Sequence, residues 1–198
     1  MIDDWRSYRL EDFIPFTSEV YFRLIERVNE AWWPAQFVAI AFGLAVLILA
    51  VRGNYRWVLT LLAPAWAFSG IVFHFQHYAE INVAATWFGY TFIAQAALLL
   101  LLAAAVGKPE LSSRPGPWRI ATGTAITVIG LLAWPMVSLV RNESWTQSEF
   151  FALHPDPTTL ATIGLIILCL RGFKAGLAAL IPIAWGAISI LTLIAMAP

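Results

Sequence analysis

The chain has 198 residues, 60% of them hydrophobic and 12% charged, against roughly 25% charged in an ordinary soluble domain. Twelve Lys/Arg cancel twelve Asp/Glu, and no segment interleaves basic residues with aromatics, so nucleic acid is not an expected partner. A water-soluble fold is excluded as well, because apolar residues fall in runs long enough to span lipid. The expected fold class is all-α: a polytopic membrane protein with about six transmembrane helices, its main partner the lipid bilayer.

Residues 1–33 form an N-terminal segment that opens Met1-Ile2-Asp3-Asp4-Trp5-Arg6. It lacks the basic start and immediate apolar stretch of a cleaved signal peptide and is expected to be kept. From Glu19 to Trp32 the pattern is helical: Tyr21, Leu24, Ile25, Val28 and Trp32 share one face, and Glu19, Arg23, Glu26, Arg27 and Glu30 the other. Trp32 and Trp33 at its end place this amphipathic helix flat in the membrane interface; the alternative is a solvated helix packed on the domain.

Residues 34–198 make the transmembrane domain, with spans expected near 34–51, 57–78, 83–106, 120–140, 157–171 and 175–197. The first ends at Arg52-Gly53-Asn54-Tyr55-Arg56, a turn rich in breakers and cations. The second carries Pro64, and a Gly-Pro-Ser-rich linker, 107–117, separates the third from the fourth. The fifth offers only a short charge-free run, Thr158 to Leu170, where about 20 residues are needed. Phe150 to Leu153 are therefore expected to dip into the outer interface and complete the crossing, with Asp156 capping the helix and Pro157 in its first turn. The sixth is charge-free, with a kink expected at Pro182. The only cysteine, Cys169, excludes an intrachain disulfide.

Arg52 and Arg56, then Lys108, Arg114 and Arg119, then Arg171 and Lys174 fall in alternate loops. By the positive-inside rule those loops are cytoplasmic and both termini face outward, into the periplasm if the membrane is a bacterial inner membrane. His74, His77 and His154 then lie on the outer side.

His74 and His77, three positions apart on an α-helix, converge; Glu80 follows one step round, and His154 beside Asp156 opens the short fifth span. Two imidazoles on one helix, a third from a facing helix and a carboxylate suit copper or zinc, and His74 or His77 with His154 would suit haem. The plainer alternative is interfacial histidines hydrogen-bonded to backbone or headgroups, and a third is a proton-coupled role. Asn82, Asp156 and Gln95 are further candidates for the pocket wall. Gln36, Gln95, Thr122, Thr124 and Thr127 read most simply as interhelical bonding or close-packing positions. No phosphate-loop, serine-hydrolase or zinc-protease motif occurs.

Several stretches together carry a resemblance: Asp12-Phe13-Ile14-Pro15-Phe16, Trp33-Pro34-Ala35, Ile81-Asn82-Val83-Ala84-Ala85 running to Phe88-Gly89 and Gln95-Ala96, and Pro155-Asp156-Pro157-Thr158 followed by Ala161-Thr162-Ile163-Gly164. In these the chain resembles, over essentially its whole length, a bacterial family of small multi-span proteins known as domain of unknown function 6064. The resemblance implies a six-span fold and no particular activity. It implies a histidine at about His74, weighting it over His77, while Val83 departs from the family's proline.

The functional reading is a small transporter or permease whose outward pocket, lined by His74, His77, Glu80 and His154, takes a metal ion or small polar solute. The alternatives are a membrane enzyme or redox subunit holding copper, zinc or haem there, and an accessory subunit of a membrane complex; a homo-oligomer is compatible with each.

Overall fold

The computed structural model describes residues 14–106, 115–140 and 144–196. Asp12 and Phe13, and Lys108, Glu110 and Arg114 of the linker, lie outside the described residues. Among the described residues every regular element is helical, the expected answer to a chain whose backbone polar groups must be satisfied within each segment when no water is at hand.

Helix α1 (Ser18–Ala31) starts at Thr17, whose hydroxyl accepts from the Val20 amide. Its apolar face is the expected one: Tyr21, Leu24, Ile25 and Val28 are buried, with Asn29 beside them. Ile25 and Val28 are fully covered by protein, so the helix is packed on the domain. At Pro34 the chain turns through 88° into α2 (Ala35–Val51).

Helix α3 (Tyr55–Ser69) contains Pro64 and continues as a π-helix, Gly70–His77, and a 3-10 turn, Tyr78–Glu80. Helix α4 (Ala85–Ala105) follows. Helix α5 (Pro117–Val128) also widens into a π-turn, Ile129–Ala133, before Trp134–Met136. Helix α6 (Pro155–Cys169) and helix α7 (Gly172–Ala195) complete the bundle.

By length and apolarity four helices can cross a membrane, and a fifth crossing follows if α1 and α2 count as one bent span. Sequence periodicity suggested about six; α2, with 17 residues, and α6, with 15, are the two that fall short. At 1.5 Å per residue α6 is about 22 Å long, against a hydrocarbon core of about 30 Å.

What extends α6 is the stretch 148–154. Phe150, Phe151 and Leu153 are at most 2% exposed, so this non-helical backbone runs into the protein. Its amides are met by side chains: Phe150 N–H donates to His154 Nδ1 (3.0 Å), and Ala152 N–H to Thr158 Oγ1 (2.7 Å), whose own hydroxyl donates to the His154 carbonyl (2.6 Å). Buried irregular backbone is tolerated on that condition.

Helices α5 and α6 meet over glycine. A Cβ on Gly164 would lie 2.6 Å from the Gly123 carbonyl oxygen and 2.6 Å from the Thr127 amide; one on Gly130 would lie 2.7 Å from the Ala161 amide. Small residues here let backbones approach closely. Thr127, expected at a close-packing position, is fully buried in that seam.

The two ends of the bundle differ in charge. Arg56 reaches the Val106 carbonyl, Lys174 the Ala105 carbonyl, and Arg119 the carbonyls of Ile167 and Leu170, all at one end. The described acids sit at the other end, with α1.

Candidate functional site

The expected site residues separate into distinct surroundings. His74 lies on the π-helix and is fully buried. Its ring is boxed by Phe92 (4.5 Å between centroids), Trp185 (4.9 Å), Phe73 (5.3 Å), Tyr78 (6.0 Å) and Phe88 (6.1 Å), and neither ring nitrogen has a hydrogen-bond partner. His77 instead turns its Nδ1 to the Val72 carbonyl (2.8 Å) five residues back.

The expected convergence of His74 and His77 assumed α-helical spacing. The wider i→i+5 turn of a π-helix changes the angle between residues three apart, and the two rings have different neighbours.

Glu80 is on the surface, where Arg27 Nη1 donates to its carboxylate at 2.9 Å; exposed pairs of this kind contribute under about 1 kcal/mol. His154 is fully buried beside Phe73 and Phe150. Because its Nδ1 accepts from the Phe150 amide, the ring is the neutral tautomer carrying its proton on Nε2. Nε2 has no partner in hydrogen-bonding geometry. Gln95 Nε2 donates to the Ala178 carbonyl (2.9 Å), tying α4 to α7. Asn82 bonds the Tyr78 hydroxyl (3.1 Å) and accepts from the Ala84 amide. Among the described residues no three His, Cys, Asp or Glu side chains come together as a metal site.

Asp156 has a different role from the expected cap. Pro155 occupies the first helical position, where its missing N–H costs nothing, so the cap position falls on His154. Asp156, one residue further in, points across to α7: Trp185 Nε1 donates to Oδ1 at 2.8 Å and the Ser189 hydroxyl to Oδ2 at 2.6 Å. Trp185 and Ser189, four apart on α7, share a helix face. Trp185 thus touches both His74 and Asp156, as Phe73 touches both His74 and His154.

Asp156 lines a cavity of about 290 Å³ with Tyr21, Trp134, Ser138, Gln147 and Glu149. Glu149 accepts from the Tyr21 hydroxyl (3.0 Å) and from Trp134 Nε1 (2.7 Å). Burial first, then the charges of Glu149 and Asp156, hold the Tyr21 phenol well above its ordinary pKa, so it stays a donor. Two carboxylates thus share one cavity wall with neutral hydroxyl, indole and amide groups. Such oxygen-rich walls suit hard or hydrated cations better than the copper or zinc expected from histidine.

Tyr21, Trp134, Glu149, Trp185 and Ser189 were missed by sequence reasoning. The available signal was Trp185-x-x-x-Ser189 on one face of a charge-free helix. Glu149 carried none beyond its place in an aromatic loop.

No curated protein and no solved structure matches the chain. The sequence profile described as "Family of unknown function (DUF6064)" matches residues 18–197, nearly the whole length; the chain belongs to the DUF6064 family.

Proposed function

We propose that this protein is a small permease-like membrane protein whose cavity at the α1 end takes a small hydrophilic cation, with Asp156 as the group that holds it. One observation supports the reading above the rest: a carboxylate 7% exposed, set among apolar helices and lining a cavity, receives hydrogen bonds from an indole and a hydroxyl. A carboxylate inside a membrane protein is costly to keep, by at least ~2.5 kcal/mol at a helix centre, and marks an ion or substrate path by default. The two donors orient both oxygens and leave lone pairs for a cation.

In this reading the basic loops face the cytoplasm, as the positive-inside rule favours, and the cavity opens outward, to the periplasm if the membrane is a bacterial inner membrane. A hard cation would keep part of its water shell against two carboxylates; a planar guanidinium would take them through paired N–H donors.

The test is calorimetric titration of purified protein with Mg²⁺ and with guanidinium, beside Asp156→Asn. Asparagine keeps an acceptor for Trp185 and removes the charge. Saturable binding of either probe that disappears in the variant supports the reading; equal binding by both proteins refutes it.

A further inference from the structure

At the basic end of the bundle an open groove of about 530 Å³ runs over α6 between α5 and α7. Ile163, Ile167 and Leu170 of α6 form its floor, and Trp118 and Arg119 of α5 form one wall. The other wall is α7 from Gly172 to Ile183, cut low by small residues. Ala175, Gly176 and Ala179 stand where larger side chains would close the groove, and a Cβ on Gly176 would meet nothing within 4 Å.

The mouth of the groove is cationic. Arg119 and Arg171 both line it. Arg119 Nη2 donates to the carbonyls of Ile167 and Leu170, which anchors the guanidinium at the C-terminal end of α6 and leaves Nε and Nη1 for a further acceptor. Beyond the mouth the walls are apolar. At 1.5 Å per residue, Gly172 to Ile183 rises about 16 Å, half of a hydrocarbon core of about 30 Å. The groove therefore has the depth of one leaflet.

Charge decides between the possible occupants. A second copy in the same membrane orientation would bring no acid from its described residues, because those acids stand at the α1 end. An anionic phospholipid supplies both halves of the match. We propose that the groove holds one such lipid from the leaflet on the basic side. Its phosphate lies against Arg119 and Arg171, where a planar guanidinium takes two oxygens at once. The indole of Trp118, 67% exposed, sits level with the headgroups. One acyl chain follows Ile163, Ile167 and Ala179 down to Ile183. Basic recesses between membrane helices bind lipid headgroups in this way.

The experiment is native mass spectrometry of protein stripped of lipid in detergent, then mixed with equal amounts of phosphatidylglycerol and phosphatidylcholine of the same chain length. Both lipids carry a phosphate, and only the first has a net charge. Wild type should retain one phosphatidylglycerol, preferred about tenfold. Gly176→Leu fills the groove without meeting a packed atom and should abolish retention. Gly186→Leu, equally open but outside the groove, should leave it unchanged. Arg119→Gln should cut the preference about fivefold, and Arg52→Gln, an exposed cation outside the groove, should not.

Equal retention of the two lipids by wild type overturns the site. So does loss of lipid from Gly186→Leu and Arg52→Gln as complete as from Gly176→Leu and Arg119→Gln, the mark of a general lipid shell. Displacement of the bound lipid by an equal concentration of glycerol phosphate would reduce the groove to a phosphate site and contradict the acyl-chain half of the proposal. A wild-type dimer that Gly176→Leu dissolves, with no lipid retained, would assign the groove to a second copy instead.

Discussion

Helices α6 and α7 have similar apolar sequences and opposite places in the molecule. Of the 15 residues of α6, 12 are buried, whereas α7 has 24 residues and buries three, Ala178, Pro182 and Trp185. Phe173, Leu180, Ile183, Ile190 and Ile194 of α7 are all more than half exposed, as a helix facing lipid should be. The shorter helix is the centre of the bundle and the longer one its wall. Hydrophobicity all round a helix is compatible with either place; what separates them is the small residues that let neighbours reach the α6 backbone and the polar groups, Asp156, Thr158 and Thr162, that find partners there.

Substitutions matched across the two helices sharpen this contrast. The largest effect is expected for Gly164→Ala on α6, whose new methyl would overlap the backbone of Gly123 and Thr127. Neither can rotate away, so a loss of about 3 kcal/mol, or failure to accumulate as a monodisperse species on size exclusion, should follow. Next is Thr158→Val, which leaves the Ala152 amide buried without an acceptor; about 2 kcal/mol should be lost and read as a lower midpoint of thermal unfolding. Its counterpart on α7 is Thr192→Val. There the hydroxyl bonds only the Ile188 carbonyl of its own helix, and a change under about 0.5 kcal/mol is expected.

A smaller effect of opposite sign is expected for Ala152→Gly. Ala152 has φ 65°, a left-handed conformation costing an alanine about 1–2 kcal/mol. Glycine returns part of that to unfolded-state entropy, so a net gain of about 0.5 kcal/mol should raise the midpoint. Smallest is Gly186→Ala on α7, where a methyl meets nothing within 4 Å; no more than about 0.5 kcal/mol should change. If Gly186→Ala were as damaging as Gly164→Ala, the assignment of centre and wall would fail.

Much of this fold was readable in the residues. The buried face of α1 follows from the spacing of Tyr21, Leu24, Ile25 and Val28, and Gln95 and Thr127 serve as the interhelical contacts their isolation in apolar runs suggested. The shortness of the fifth apolar run required a buried non-helical extension, and Phe150 to Leu153 provide it. The candidate site was less readable. Asp156 is legible as a pocket-wall candidate and as a cap, and the cap falls instead on His154 because Pro155 takes the first helical position. The directions of His74 and His77 depend on a π-helix that no apolar period encodes. The partners of Asp156 lie 29 and 33 residues away, and tertiary packing sets those distances.

The central claim, that Asp156 holds a cation on a path across the membrane, is tested most directly by uptake of labelled guanidinium into proteoliposomes. Wild-type protein should give saturable uptake above empty vesicles, and Asp156→Asn, reconstituted to the same level and equally monodisperse, should give none. Undiminished uptake through the variant, or none through either protein, would contradict the claim.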